Sequence, residues 1–318
     1  ILDHFGFGES FRYITPEERR FVVTNGEAGR MVYVKDRETG EFYDANRNFL
    51  NKPFTKYECH VGIGYQQIVS EYNGIEVKFT LTAPKQGFAE LWKIEVKNNN
   101  DTAKKIDITP YCRPAVNITS HLAYGHADYD EKLDGLYFSH DAYNIIHNFV
   151  GVYMKATMSP DSYDISDINF KGEYNSYAEP QALFNDSLSN MGSSFDPTYC
   201  GAMQFKLDLA AGEQKSIYVV LGMATDLQYA IDASNEYLKE GFFEDSIALA
   251  QKEAEEMNSL YVLDTPDEYI NTMINIWLKR QISLGKTWGR VYNKGFRDIM
   301  QDTAGLAAFD GKMAREKI

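Results

Sequence analysis

The sequence predicts a mainly β fold with a helical part behind it. A large antiparallel β-sandwich occupies residues 1–225, a helical linker 226–262, and the start of a helical domain 263–318. Three observations predict this order: hairpin signals recur through the first two thirds, composition turns rich in Ala, Glu and Lys at about 226, and a strong helix start stands at 263.

The hairpins come first. "MVYVKDRETGEFYDAN" (31–46) holds two short β-prone runs around Glu38-Thr39-Gly40, with glycine where a positive φ is wanted. "YQQIVSEYNGIEVKFTLTAP" (65–84) repeats the design around Asn73-Gly74, the strongest short hairpin signal. Its second arm alternates Ile75, Val77, Phe79 and Leu81, which directs one apolar face to a core. "AELWKIEVKNNNDTAKKIDITPYC" (89–112) reads as another strand pair around a polar Asn98–Thr102 turn. In 201–224, Met203, Phe205, Leu207 and Leu209 alternate before a turn at Ala211-Gly212 and a final β-rich run. Many strands joined by short turns indicate a sandwich, and the lack of a short-period repeat disfavours a propeller.

Residues 226–260 predict two helices broken at Glu240-Gly241, with Ile247, Ala250, Ala254 and Met257 at helical spacing. In 263–286, Asp264 or Thr265 is placed to cap a helix, Pro266 suits its first turn, and Asp267 and Glu268 favour the positive end of the helix dipole. Ile270, Ile274, Trp277 and Gln281 follow as a core stripe, and Gly285 suits the stop. A second helix is expected from about Ile299, turning near Asp310-Gly311. Two helices enclose no core of their own, so the helical domain is expected to be cut off. The opening Ile-Leu-Asp-His, without Met, carries the same expectation for the N-terminus.

Net charge is −14, from 46 acidic and 32 basic residues, which argues against nucleic acid or an anionic membrane surface as partner. No apolar run is long enough to span a bilayer. Three scattered cysteines (Cys59, Cys112, Cys200) lack metal or disulfide spacing, and a reducing, cytoplasmic compartment fits them. The Asn-x-Ser/Thr triplets at Asn100, Asn117 and Asn185 therefore read as chance. His121 and His126 read as a loop pair rather than metal ligands. Aromatic residues are 14% of the chain; they suit a β core first and sugar stacking second.

The polar cluster in "KGFRDIMQDTAG" (294–305) is the candidate site. Arg297 offers a planar fork of donors, Asp298 and Asp302 accept from hydroxyls, and Gln301 does both, so together they suit a polyhydroxylated ligand. On spacing alone a local Arg–Asp ion pair at a helix start is the plainer reading. Neither a Ser/His/Asp nucleophile signature, a phosphate-cradling loop nor a Rossmann glycine pattern is present.

Six blocks in order carry a resemblance: "GYQQIVSEYNGIEVKFTLTAP", "AELWKIEVKNNNDTAKKIDIT", "FKGEYNSYAEPQALFNDSLSN", "CGAMQFKLDLAAGEQKSIYVVLG", "TPDEYINTMINIWLKRQ" and "WGRVYNKGFRDIMQD". The chain resembles the N-terminal portion of glycoside hydrolase family 94, the cellobiose and cellodextrin phosphorylases and the cyclic β-1,2-glucan synthases. The resemblance implies a galactose-mutarotase-like sandwich, a helical linker and the truncated start of an (α/α)6 barrel. It implies inverting phosphorolysis of a β-linked gluco-disaccharide or oligosaccharide to α-glucose 1-phosphate, with inorganic phosphate as co-substrate and neither metal nor organic cofactor. Arg297 and Asp302 match the family's glycone-binding pair, and Asp298 and Gln301 support them or hold the local turn. Trp288 and Arg290 are placed to line the site. The resemblance puts the general acid beyond Ile318, so no residue of this chain is expected to be catalytic. It also implies a homodimer completed by the rest of the barrel. The Trp/Pro-rich motif typical of cellobiose phosphorylases is absent from 5–25, which leaves the linkage open. A transferase or hydrolase of the same architecture, and a non-catalytic carbohydrate-binding sandwich, are the alternatives.

Overall fold

The computed structural model describes residues 4, 10–15, 18–23, 29–49, 52–114, 125–140, 151–192, 198–282, 295–308 and 310–317. They divide into two compact units, one holding the sheets up to Ile247, the other running from Ala248 and including residues 13–19. Strands β1 (Ser10–Thr15) and β2 (Glu18–Val23) form a two-stranded ribbon. Next come β3 (Arg30–Asp36), β4 (Phe42–Asp44), β5 (Lys56–Gly62), β6 (Tyr65–Tyr72), β7 (Ile75–Thr82), β8 (Ala89–Asn98) and β9 (Lys104–Cys112). β10 (Gly125–Asp130), β11 (Gly135–His140), β12 (Gly151–Ala156), β13 (Ser162–Ser166), β14 (Tyr199–Leu209) and β15 (Gln214–Ala224) complete the set. Eight strands pair antiparallel in the order β10-β11-β12-β15-β8-β7-β6-β5, and five in the order β13-β14-β9-β3-β4.

The hairpins at Gly40 and Asn73-Gly74 form as expected, the second with positive φ at both central residues (49° and 71°). Ile75, Val77, Phe79 and Leu81 of β7 are buried, as are Met203, Phe205, Leu207 and Leu209 of β14. Both runs enter one core that unites the two sheets, with the Phe79 and Trp92 rings 5.2 Å apart edge to face.

One expected pairing is wrong. The runs flanking Asn98–Thr102 are not partners: β8 joins the eight-stranded sheet and β9 the five-stranded one. β14 and β15 part in the same way at Ala211-Gly212. Asn98 supplies the reason. Its buried amide donates to the carbonyls of Thr102 (2.7 Å), Leu209 (3.3 Å) and Ala210 (3.1 Å), acceptors that a hairpin ladder would otherwise satisfy. The neighbouring Asn100 amide donates to Asn98 Oδ1 and to the Asn73 carbonyl, each at 3.1 Å, so the nitrogen a glycan would need is already engaged.

The outer face of the five-stranded sheet is covered by 167–192, which contains the third of the blocks quoted above. Helix α1 (Asp167–Lys171) is capped by Ser166 and leads to a 3₁₀ turn, Gln181–Phe184. Asp167 accepts from the hydroxyls of Tyr111 (2.6 Å) and Tyr177 (2.9 Å), and Phe170 lies 4.8 Å from the Tyr111 ring. Lys35 Nζ and Gln204 Nε2 reach the carbonyls of Asn185 (2.7 Å) and Asp186 (3.2 Å). Polar side chains on this face are thus satisfied by the covering backbone, which is why strict alternation of burial breaks down in β3 and β14.

Asp164 is the least comfortable member of this layer. It is buried, one carboxylate oxygen accepts from the Ser189 amide and hydroxyl, and the other has no hydrogen-bond partner. Burial pushes its carboxyl up from 3.8 to about 6, against the pull of Ser189. A raised carboxyl pKa means the folded state binds the proton more tightly than the unfolded one. Its penalty is therefore absent at low pH, grows as pH rises from about 4, and is complete above 6. We expect the stability difference between Asp164→Asn and the parent to shift in the variant's favour by about 2 kcal/mol between pH 4.5 and 7.5, read from urea midpoints. A pH-independent difference would contradict the ionised burial.

Residues 226–260 form the two expected helices, α2 (Leu227–Tyr237) and α3 (Phe242–Asn258), separated at Gly241 with φ +84°. Asp226 caps α2 by accepting from the Tyr229 amide. The next helix starts later than expected. Asp267, rather than Asp264 or Thr265, is its N-cap and accepts from Tyr269 and Ile270, so Pro266 precedes the helix. α4 (Glu268–Thr272) continues without a break through a π-helical stretch, Met273–Leu278, and a last described turn, 279–282. The expected core stripe is not realised: Ile270 and Gln281 are exposed, Ile274 and Trp277 half-buried, and the buried residue is Lys279. A π-helical stretch winds more residues per turn, so a stripe counted at α-helical spacing loses its phase there. Gly285 lies outside the described residues.

Candidate functional site

Helix α5 (Phe296–Leu306) begins three residues earlier than the apolar spacing suggests, with Gly295 as N-cap; α6 (Gly311–Lys317) follows after a turn. Asp298 explains the early start. Its Oδ2 accepts from the Gly295 amide at 3.3 Å, while its own amide donates to the Gly295 carbonyl at 3.1 Å, so the carboxylate secures the first turn.

The sequence-derived cluster thus divides. Arg297 and Gln301, four residues apart on one helical face, are both exposed. Their donors and acceptors lie open to a ligand or a further layer of protein. Asp298 is half-buried and engaged with the backbone, and Asp302 follows it four residues on. The side chain of Asp302 lies outside the described residues, as do Trp288 and Arg290 entirely. The opposite side of α5 is anchored by buried Thr303 and Leu306. A Cβ built on Gly305 would stand 3.4 Å from Ile282, which is van der Waals contact, so α5 lies close against the α4 helix here. The Arg297–Gln301 face can donate to and accept from hydroxyl groups.

Among the described residues no cluster of three His, Cys, Asp or Glu side chains suits a metal ion. His126 is exposed on β10, and His121 lies outside the described residues. Cys112 and Cys200 are buried and Cys59 half-buried, none of the three in a disulfide, and burial raises the Cys112 thiol. No described helix is long and apolar enough to cross a membrane. Sequence reasoning missed Asn271, Asn275 and Lys279; the signal was present as polar residues at spacing four inside an apolar helix.

The model of the glycosyl hydrolase 94 supersandwich domain matches residues 14–240. The chain belongs to glycoside hydrolase family 94. As a family member it is 25% identical to a solabiose phosphorylase of Paenibacillus borealis over 327 aligned residues, covering 100% of this chain and 42% of that protein. It is 29% identical to a cellobionic acid phosphorylase of Neurospora crassa, covering 90% of this chain and 37% of the other. The chain thus spans about two fifths of the curated relatives it matches. A crystal structure of a bacterial glucoamylase complexed with acarbose aligns over 94% of this chain and 36% of its own, with TM-score 0.50 and 10% identity, a likeness of fold alone. The supersandwich is the pair of sheets described above, and the family's fold class is mainly β with few helices over this region.

Proposed function

We propose that the complete protein is an inverting phosphorylase that cleaves a β-linked gluco-disaccharide or oligosaccharide with inorganic phosphate and releases α-glucose 1-phosphate. The observation that carries this reading is that 90–100% of this family 94 chain aligns with part of enzymes whose names are phosphorylases. In the reaction, a phosphate oxygen attacks the anomeric carbon from the face opposite the glycosidic bond. That bond breaks towards its oxygen, which takes a proton from a carboxylic acid supplied outside this chain. The substrate's β configuration becomes α in the product. Arg297 and Asp302 hold the non-reducing glucosyl unit, Asp298 keeps the turn beneath them in shape, and Gln301, Trp288 and Arg290 complete the lining. No metal or organic cofactor takes part, and the complete enzyme is a cytoplasmic homodimer.

The test is phosphorolysis of a panel of β-1,2-, β-1,3- and β-1,4-linked glucosides by the complete protein, followed by phosphorus NMR with anomeric assignment. The expected product is α-glucose 1-phosphate from at least one linkage. Release of free glucose without sugar phosphate, or of the β anomer, would overturn the reading.

A further inference from the structure

The second compact unit contains a device built from three side chains that look unrelated in the sequence. Asn275 pairs with the backbone of Leu263 in both directions: Oδ1 accepts from its amide at 2.8 Å and Nδ2 donates to its carbonyl at 2.7 Å. Asn271 does the same to Thr265, at 2.9 Å each way, and its Oδ1 also accepts from the Thr265 hydroxyl at 2.8 Å. Lys279, 1% exposed, donates to the carbonyls of Tyr261 and of Asn258, the last residue of α3.

The three grips share a spacing. Along the helix they fall at i, i+4 and i+8. Along the connector they fall on Thr265, Leu263 and Tyr261, every second residue, running the opposite way. Four residues of helix rise about 6 Å, and two residues of extended chain advance about 6.6 Å. A helix with polar side chains every fourth position therefore matches the repeat of a strand read at every second one. The exposed residues between the grips, Val262 and Asp264, fit that alternation. Phase matters too. In an α-helix a four-residue step drifts by about 40°, and the wider turn at Met273–Leu278 works against that drift and keeps the third grip over the connector.

We infer that Asn271, Asn275 and Lys279 form a ruler that clamps the connector 258–265 in a single register along the α4 helix. Reading backbone rather than side chains, the two amides alone would accept a slip of two residues. The ends forbid it: the Thr265 hydroxyl bond fixes one, and the Lys279 bond to the last carbonyl of α3 fixes the other. The connector is consequently a fixed joint with no slack between α3 and α4. On the proposed glycone role of Arg297, the ruler also positions that residue, because Ile282 at the far end of the same helix carries α5 at Gly305.

Residue-resolved amide hydrogen exchange on the present chain, together with sugar kinetics on the complete enzyme, tests this. The amides of Leu263 and Thr265 should be protected although they lie outside regular structure. Asn275→Ala should speed exchange at Leu263 by roughly tenfold, and Asn271→Ala should do so at Thr265. Asn275→Asp keeps the accepting oxygen but sets its second oxygen against the Leu263 carbonyl in place of a donor, so it too should speed exchange at Leu263. Parent Leu263 and Thr265 amides exchanging at free-chain rates, or Asn275→Ala leaving Leu263 as protected as in the parent, would overturn the ruler. In the complete enzyme Lys279→Met should raise the sugar KM several-fold more than it lowers kcat. If the exchange results hold and KM stays put, the ruler stands and the placement of the glycone at Arg297 is what fails.

Discussion

Arg297→Ala in the complete protein should lower kcat/KM for phosphorolysis by about 100- to 1000-fold while leaving the melting temperature in place. The two halves of that expectation have different grounds. Arg297 is exposed on the first turn of α5, away from the Thr303 and Leu306 side that holds the helix, so its removal takes nothing from the fold. Exposed substitutions of this kind usually move stability by less than about 0.5 kcal/mol. A guanidinium fork closed onto sugar hydroxyls inside a dry site is another matter. Each charge-assisted hydrogen bond there contributes about 1.5–3 kcal/mol, and two such bonds reach the stated range at about 1.4 kcal/mol per tenfold. Arg297→Lys keeps the charge and loses the fork, so it should fall between parent and Ala. Gln301→Ala, a neutral partner on the same face, should cost about tenfold or less. Steady-state rates with the preferred disaccharide, beside calorimetric melting of each variant, decide the matter. Unchanged turnover in Arg297→Ala would remove the glycone role.

How far the sequence foretold this depended on the range of the interactions involved. The Asn73-Gly74 hairpin and the alternation in β7 are set by local backbone preference and by burial of one face, and both are present. The break at Gly241 is likewise local. Partner choice between strands is not. β8 and β9 read as a hairpin because both alternate across a polar turn, but the arbiter is Asn98, whose acceptors include Leu209 and Ala210, more than a hundred residues away. Burial in the 167–192 layer was hidden for the same reason, since Lys35 and Gln204 look like solvent-facing residues until Asn185 and Asp186 arrive to cover them. In the helical unit, a pattern counted at α-helical spacing missed the π-helical stretch, and with it the inward Lys279. At the candidate site, Asp298 is legible as a helix-start carboxylate, whereas the openness of Arg297 and Gln301 depends on how α5 packs.

Glu90→Gln should be among the most damaging single substitutions in the sandwich, costing about 3–5 kcal/mol against a total domain stability of about 5–15 kcal/mol. Arg30 on β3 is completely buried and Glu90 on β8 nearly so, which makes theirs an ion pair across the two sheets. The contact is bidentate, with Nε to Oε1 at 2.5 Å and Nη2 to Oε2 at 2.7 Å, and the Trp92 indole donates to the same Oε1 at 2.5 Å. Taking two charges out of water is expensive, and the mutual attraction recovers that cost only while the geometry is complete. Replacing the carboxylate by an amide leaves the guanidinium buried without its counter-charge, turns one accepting oxygen into a donor, and sets that donor against either the arginine or the indole. Arg30→Met should be comparably costly, because the Glu90 carboxylate then stays buried after losing the guanidinium opposite it. The pair together should behave differently. Arg30→Met with Glu90→Leu removes both charges and fills the space with apolar volume, so it should recover most of what either single change loses. A coupling energy of about 2–3 kcal/mol in the double-mutant cycle is the expected signature, read from urea midpoints. Losses that simply add would mean that the two side chains are held by their other neighbours rather than by each other. That outcome would move the link between the sheets from this ion pair to the apolar core around Phe79 and Trp92.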